Sequence, residues 1–498
     1  MIRHVAWREL VEHVRSARFV ALCALALLLL PLSAHVNATQ YEDRLAQAAA
    51  LRAEQQRKID EPITESGAFR SMYGWRDGEV LADPALRAVR SPSRFAVLAI
   101  GSERTLPAYW QFSTEGIEAG PNASGDADAP GAERMDAVFI VESVLGLLAL
   151  LLVFDAVSGE RETGVLRLLL AAPVRRGDLL LGKALGALLT LAVPLVLGFG
   201  VSLLVLEAYG ISLLSGQSLG RVAILLGASG LYLANMVALG LTVSVATARA
   251  KSSWVALLVV WISIVLVIPR AADMVASTLH PIRPAHESRQ AKIDAVQLIQ
   301  SERARTLSAA WRRVAGADSA PSGYVSSALR DGYARVIADD ERRFMVHKRA
   351  SIRHTETERQ RSAERRRALA LAMSRFSPAA SYAALAANLA GTGDDAVDRW
   401  AEQVAAHQSR LENATFDLRF GMELFPAHLD FLRIIWWPDL RNSRDRPPAY
   451  RDLPKFTYHE PALGLVIRRS LLDLAVLAGG SAAWLAVALI AFQRLEVQ

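Results

Sequence analysis

The 498-residue chain has one cysteine, Cys23, and it sits inside the first apolar run. No intrachain disulfide and no cysteine-based metal cluster is therefore open to it. Catalytic signatures are scarce as well. H-E-x-x-H does not occur, so zinc-protease chemistry has no residues to start from, and GQSLG, residues 216–220, fits the esterase spacing G-x-S-x-G but stands in the short connection between two apolar runs. The stretch from Gly177 to Lys183 matches the phosphate-loop spacing G-x-x-x-x-G-K, but Ala184 replaces the magnesium-binding hydroxyl and three leucines lead into an apolar run. His347 and His354, seven apart on one expected helix, have no third ligand at suitable spacing and read as solvated surface residues.

Apolar sequence is abundant. Of the residues, 52% are hydrophobic, and they gather in runs too long for ordinary core helices. About 20 apolar residues cross a bilayer. Six runs qualify: 19–36, 137–157, 179–206, 222–247, 254–269 and 471–492. The fifth is short, and Pro194 is expected to kink the third. The expected fold is an all-α polytopic membrane protein with six transmembrane helices and two large, mainly helical extracytoplasmic segments.

The first run, with its basic start and small residues after it, also has the outline of a cleaved secretory signal. The leading residues 1–18 argue against that. They are long, contain Glu9 and Glu12, and place Val5, Leu10, Val11 and Val14 near one helical face, which reads as an interfacial amphipathic helix feeding a retained span.

Lys and Arg on short connections mark the cytoplasmic side. Arg3, Arg8, Arg15 and Arg18 precede the first span; Arg161, Arg167, Arg175, Arg176 and Lys183 join the second to the third; Arg249 and Lys251 join the fourth to the fifth; Arg494 follows the sixth. Six alternating spans put all of these on one face, which makes both termini cytoplasmic. The net charge of +6 belongs to this bias, and nucleic acid is not an expected partner. The chain then divides into 1–36 (amphipathic helix and first span), an outer segment 37–134, spans two to five over 135–270, an outer helical insert 271–469, and the last span with a short tail, 470–498.

Within the outer parts, residues 41–61, 287–315 and 324–376 carry helical patterns, with a stop at Ser377-Pro378. Residues 115–135 are rich in Gly, Pro, Asp and Ala and read as a loop. Trp436 and Trp437 stand beside isoleucines, as an anchor at the outer headgroups or as filling for an outer core. Inside the spans, Glu142, Asn235 and Asp473 are the polar residues. They line a pathway or a subunit interface, or, for Glu142 and Asp473, reach a membrane edge. Gly227, Gly230, Ala234 and Gly240 offer a small face for close helix contact.

Between the second and third spans runs SGERETGVLRLLLAAPVRRGDLLLGK, residues 158–183. Ser158 is placed to cap a helix with Glu160 and Glu162 in its first turn and Pro173 at its stop. This segment, with Asp155 before it, resembles the signature of ABC-2 type permease subunits of ATP-binding-cassette transporters. There an acid, basic, acid, Gly, Leu-Leu, Pro, Arg, Lys pattern forms the cytoplasmic coupling helix. Glu160, Arg161, Glu162, Gly164, Leu166, Leu169, Pro173, Arg176 and Lys183 take those places, and Val165 stands where Thr is frequent. Residues 333–403, with SP followed by LAGTG, resemble the large outer insert of a permease subclass grouped with multi-copper-enzyme maturation transporters.

The resemblance implies a coupling helix over 158–172 and a permease without enzymatic activity or cofactor of its own, in the bacterial inner membrane. ATP and Mg would belong to a separate ATPase present in two copies. A second permease, identical or homologous, membrane lipids and a periplasmic protein are the other implied partners. The competing reading is a membrane-anchored scaffold or sensor that binds a periplasmic protein through its outer helices.

Overall fold

The computed structural model describes residues 2–61, 83–113, 116–120, 135–171, 175–282, 284–315, 327–421, 453–460 and 463–495. Pro173, Trp436 and Trp437 lie outside them. Among the described residues, six helices are long and apolar enough to cross a membrane, in agreement with the six expected runs. The chain opens with α1 (Ile2–Val14) and the first span α2 (Ala17–Asp60), which continues far beyond bilayer thickness and absorbs the helix expected over 41–61. The second span, α3 (Ala137–Glu162), contains a π-helical stretch, Ile140–Leu145, and ends in a separate turn, Ser158–Glu162. A short helix α4 (Val165–Ala171) precedes the third span, α5 (Arg176–Ala208), which runs on through Pro194. The fourth span is α6 (Gly216–Ala246).

The fifth span, α7 (Ala250–Leu279), is longer than the sequence pattern indicates, because the helix passes Pro269 instead of ending there. Ser263–Val267, just before the proline, is π-helical. Widening the turn at that point relieves the clash a proline ring makes with the preceding turn. Beyond α7 come α8 (Ala285–Ala315) and α9 (Ser327–Ser374), which pack on each other as a hairpin, then α10 (Pro378–Ala390), α11 (Asp394–Gly421) and the last span, α12 (Leu463–Gln493).

Helix α1, the end of α12 and the α3–α5 and α6–α7 connections share one end of the bundle, which we call the terminal end. The outer segments share the other. Small residues decide the packing on α5. A Cβ on Gly182 would stand 2.5 Å from Val5, one on Gly186 2.6 Å from Glu9, and one on Gly198 2.6 Å from Leu30. Thus α1 and then α2 lie along successive turns of α5, with one face of α1 packed on protein and Trp7 on it left exposed. Of the expected small face on α6, Gly240 meets Val153, whereas Gly227 and Gly230 have open space beside them.

At the other end, the two outer segments meet in one body. Strands β1 (Ala88–Val89), β2 (Tyr109–Ser113) and β3 (Gly116–Ala119) form a small antiparallel sheet in the order β1-β2-β3. It is a local addition to a helical fold. Its Phe112 packs with Trp400, Val404 and Leu411 of α11 and with Leu86, Leu106 and Leu453 in a core separate from that of the bundle. Arg90 and Glu103 are paired at 3.0 Å inside this body, with Arg90 also over the rings of Trp400 and Tyr458.

Helix α10 ties that body to the spans. Ser377 caps it and donates its hydroxyl to the carbonyl of Ile264, inside the π-helical stretch of α7. Tyr382 stacks on Tyr232 of α6, their centroids 5.1 Å apart, and its hydroxyl lies 2.8 Å from Ser229 Oγ. The helix ends on Gly391, whose φ of 70° is the left-handed conformation that terminates helices. Thr392 then bonds to the carbonyl of Ala99, and Ser93 to that of Ala390.

Candidate coupling surface at the terminal end

The expected helix over 158–172 is two pieces. Gly164 adopts φ 79°, a left-handed value that glycine takes without steric cost, and the chain turns there between Ser158–Glu162 and α4. Ser158 does not cap. The residue before the turn is Val157, and Ser158 donates its hydroxyl to the carbonyl of Phe154. Ser244 of α6 supplies the cap instead: its Oγ accepts from the backbone N–H of both Val157 and Ser158, each at 3.1 Å. A capping oxygen borrowed from another span is invisible to a local reading.

Under this turn lies a charge cluster. Lys183 Nζ donates to Glu9 Oε1 and to Glu160 Oε1, both at 2.7 Å. Its side chain is only 4% exposed. A buried ammonium needs its counter-charges close, and here they come from α1 and from the end of α3, so one lysine joins three elements. His13 lies 3.8 Å from Glu9. Burial holds His13 below its usual range, against the pull of Glu9. A second pair stands alongside: Arg18 makes a two-pronged contact with Asp155, at 3.1 and 2.8 Å, and lies over the ring of Phe154.

The residues named by the motif separate into two groups. Glu160 serves Lys183. Glu162 accepts the N–H of Ala250 at 3.0 Å and caps the fifth span. Leu166 is fully buried and Leu169 packs against the bundle core. Arg176 Nη1 donates to the carbonyls of Gln493 and Leu495, at 3.0 and 2.9 Å, closing the C-terminal end of α12. Through these contacts the segment is tied to α1 and to the third, fifth and sixth spans. Facing out are Leu168, 76% exposed, and Val165, 38% exposed, with Arg161 half-buried beside Gly164. Sequence reasoning did not assign Leu168 or Glu9 to this site; the period of α4 points to the first, and nothing local points to the pairing of the second with Lys183.

The intramembrane polar residues are dispersed. Asp473 is paired with Arg375 at 2.7 Å, a contact between the last span and the end of α9. Asn235 is buried and donates to the carbonyl of Leu477 across to α12, with Gly480 close against it. Glu142 is half-buried within the π-helical stretch of α3, where its carbonyl accepts from the Tyr232 hydroxyl.

A bundle of six spans with a short, internally braced segment at its terminal end is the build of a multi-pass membrane transport protein. The family described as ABC-2 family transporter protein matches residues 3–408, and the chain belongs to that family. Two relatives share part of it. Over 110 residues, 22% of this chain and 37% of the relative, it is 44% identical to a probable ABC transporter permease protein NosY of Pseudomonas aeruginosa. Over 79 residues, 16% of this chain and 27% of the relative, it is 43% identical to a probable ABC transporter permease protein NosY of Stutzerimonas stutzeri. The matched parts thus span little more than a third of those relatives at most.

Proposed function

We propose that the chain is the permease subunit of an ATP-binding-cassette transporter and couples ATP hydrolysis by a separate ATPase to movement of substrate across the bacterial inner membrane. The observation that carries this reading is the division within residues 158–176: motif residues bonded to α1 and to the third, fifth and sixth spans beneath, and Leu168 with Val165 exposed above. Exposed leucine and valine on a short helix give an ATPase an apolar purchase, and the buried ion pairs below transmit a push to α1, α3 and α5 together. Membership of the family supports the same reading.

On this proposal the terminal end is cytoplasmic, as the Lys and Arg bias of the short connections requires. Two ATPase copies bind beneath a pair of permeases, identical or homologous, and ATP and magnesium belong to those ATPases. The outer body receives, releases or presents substrate and offers a face to a periplasmic protein.

Leu168→Asp is the decisive variant, since a residue 76% exposed contributes little to folding. Membrane insertion and thermal stability should be retained while permease-stimulated ATPase activity is lost. An unchanged rate would refute coupling through this helix. Co-purification separates the scaffold reading, which expects no stoichiometric ATPase subunit.

A further inference from the structure

Asn37, on the first span, donates to the carbonyls of Val97 and Met135 where the bundle meets the outer body. Arg44 follows two turns later, about 10 Å farther out by helical rise. It is only 9% exposed. Among the described residues its hydrogen bond is a long one, 3.4 Å from Nη2 to Gln40 Oε1. That same oxygen accepts from Arg104 Nη2 at 2.8 Å, so two guanidinium groups converge on one neutral amide. The carboxylate at hand is already engaged: Glu103 accepts from Arg90 through one oxygen and from the N–H of Ser93 through the other.

A guanidinium withdrawn from water is unfavourable unless an opposite charge or a full set of acceptors meets it, and a single amide oxygen is neither. Arg44 also lines, with Gln47, Arg90, Ser91, Glu103 and Leu106, a small cleft of about 30 Å³ that opens to solvent. We propose that this cleft is a binding site for an oxyanion, a carboxylate or phosphate group, with Arg44 as its anchor. The planar fork of a guanidinium matches two oxygens of such a group, and the pairing of Glu103 with Arg90 removes the charge that would otherwise repel it. The site lies in the outer body, apart from the coupling surface, and does not depend on the proposed function.

Free phosphate and the headgroup of an anionic lipid share this chemistry. The full chain in nanodiscs of zwitterionic lipid would be titrated with inorganic phosphate at fixed ionic strength, reading calorimetric binding and the thermal midpoint. Saturable binding is expected, weakened about tenfold or more by Arg44→Gln, the loss expected for a charge-assisted contact. In nanodiscs containing phosphatidylglycerol, a phosphate response that disappears identifies the headgroup as occupant, and one that persists identifies a free anion. Gln47→Glu places a carboxylate in the cleft without removing the anchor and should abolish the response, so it decides the matter if Arg44→Gln fails to fold. No saturable stabilisation by phosphate or lipid, or a response unchanged in both variants, would overturn the proposal.

Discussion

The two ends of the bundle are held by different forces. At the terminal end, Lys183, Glu9 and Glu160 bind three elements by charge, with Arg18 and Asp155 alongside. At the outer end, Trp400, Phe112, Leu411 and their neighbours bind two distant segments of chain by apolar burial, around the Arg90–Glu103 pair. A charge cluster is directional and fails when one partner goes. An apolar core is additive and fails in proportion to the volume removed. The end proposed to transmit a push is thus held by contacts that shift as a unit, and the end proposed to meet solutes is an ordinary small core.

Removing the lysine would test this contrast most severely. Lys183→Met leaves two buried carboxylates unpaired and should cost roughly 3–5 kcal/mol, read as a lower thermal midpoint in detergent and faster amide exchange in α1 and 158–171. Adding Glu9→Gln and Glu160→Gln should restore part of the loss; no recovery would mean the cluster is not electrostatic. At the outer end, Trp400→Ala should cost about 3–4 kcal/mol, with faster exchange in β2 and α11 and none in α1. Exchange rising at both ends would show that they are one cooperative unit.

A smaller effect is expected where α1 crosses α5. Gly182→Leu forces a side chain against Val5 and should cost about 1–3 kcal/mol, loosening α1 first.

The mildest test uses pH. His407 is 1% exposed, with Phe112 and Phe456 against its ring, and burial together with Arg410 pushes it down to about 4 from 6.5. It stays neutral in the fold, whereas the unfolded chain takes up the proton. Its contribution to stability is therefore complete above about pH 6.5 and is lost as pH falls toward 4. The outer body should open first on acidification, and His407→Leu should flatten that dependence.

Much of the architecture was legible. The six spans, the helical patterns over 287–315 and 324–376 and the break at Ser377 follow from hydropathy, period and one Ser-Pro step, because each rests on neighbours in sequence. The segment over 158–172 was legible as a motif, but not as a shape. Gly164 was visible, yet only its observed φ shows a chain reversal there, and Ser158 looked like a cap while Ser244 held that position from 86 residues away. Glu160 and Glu162 would have been chosen as contacts for a partner on charge alone. Both are spent inside the chain.

By itself, then, the sequence determined how many helices are long and apolar enough to cross a bilayer, which connections are basic, and which stretches are helical, since apolar length and local backbone preference are additive along the chain. Tertiary structure alone decided which charges are buried together, that the two outer segments form one body around Trp400, and which face of 158–171 remains outside. Those outcomes depend on groups tens to hundreds of residues apart coming within 3 to 6 Å, a proximity that no local pattern encodes.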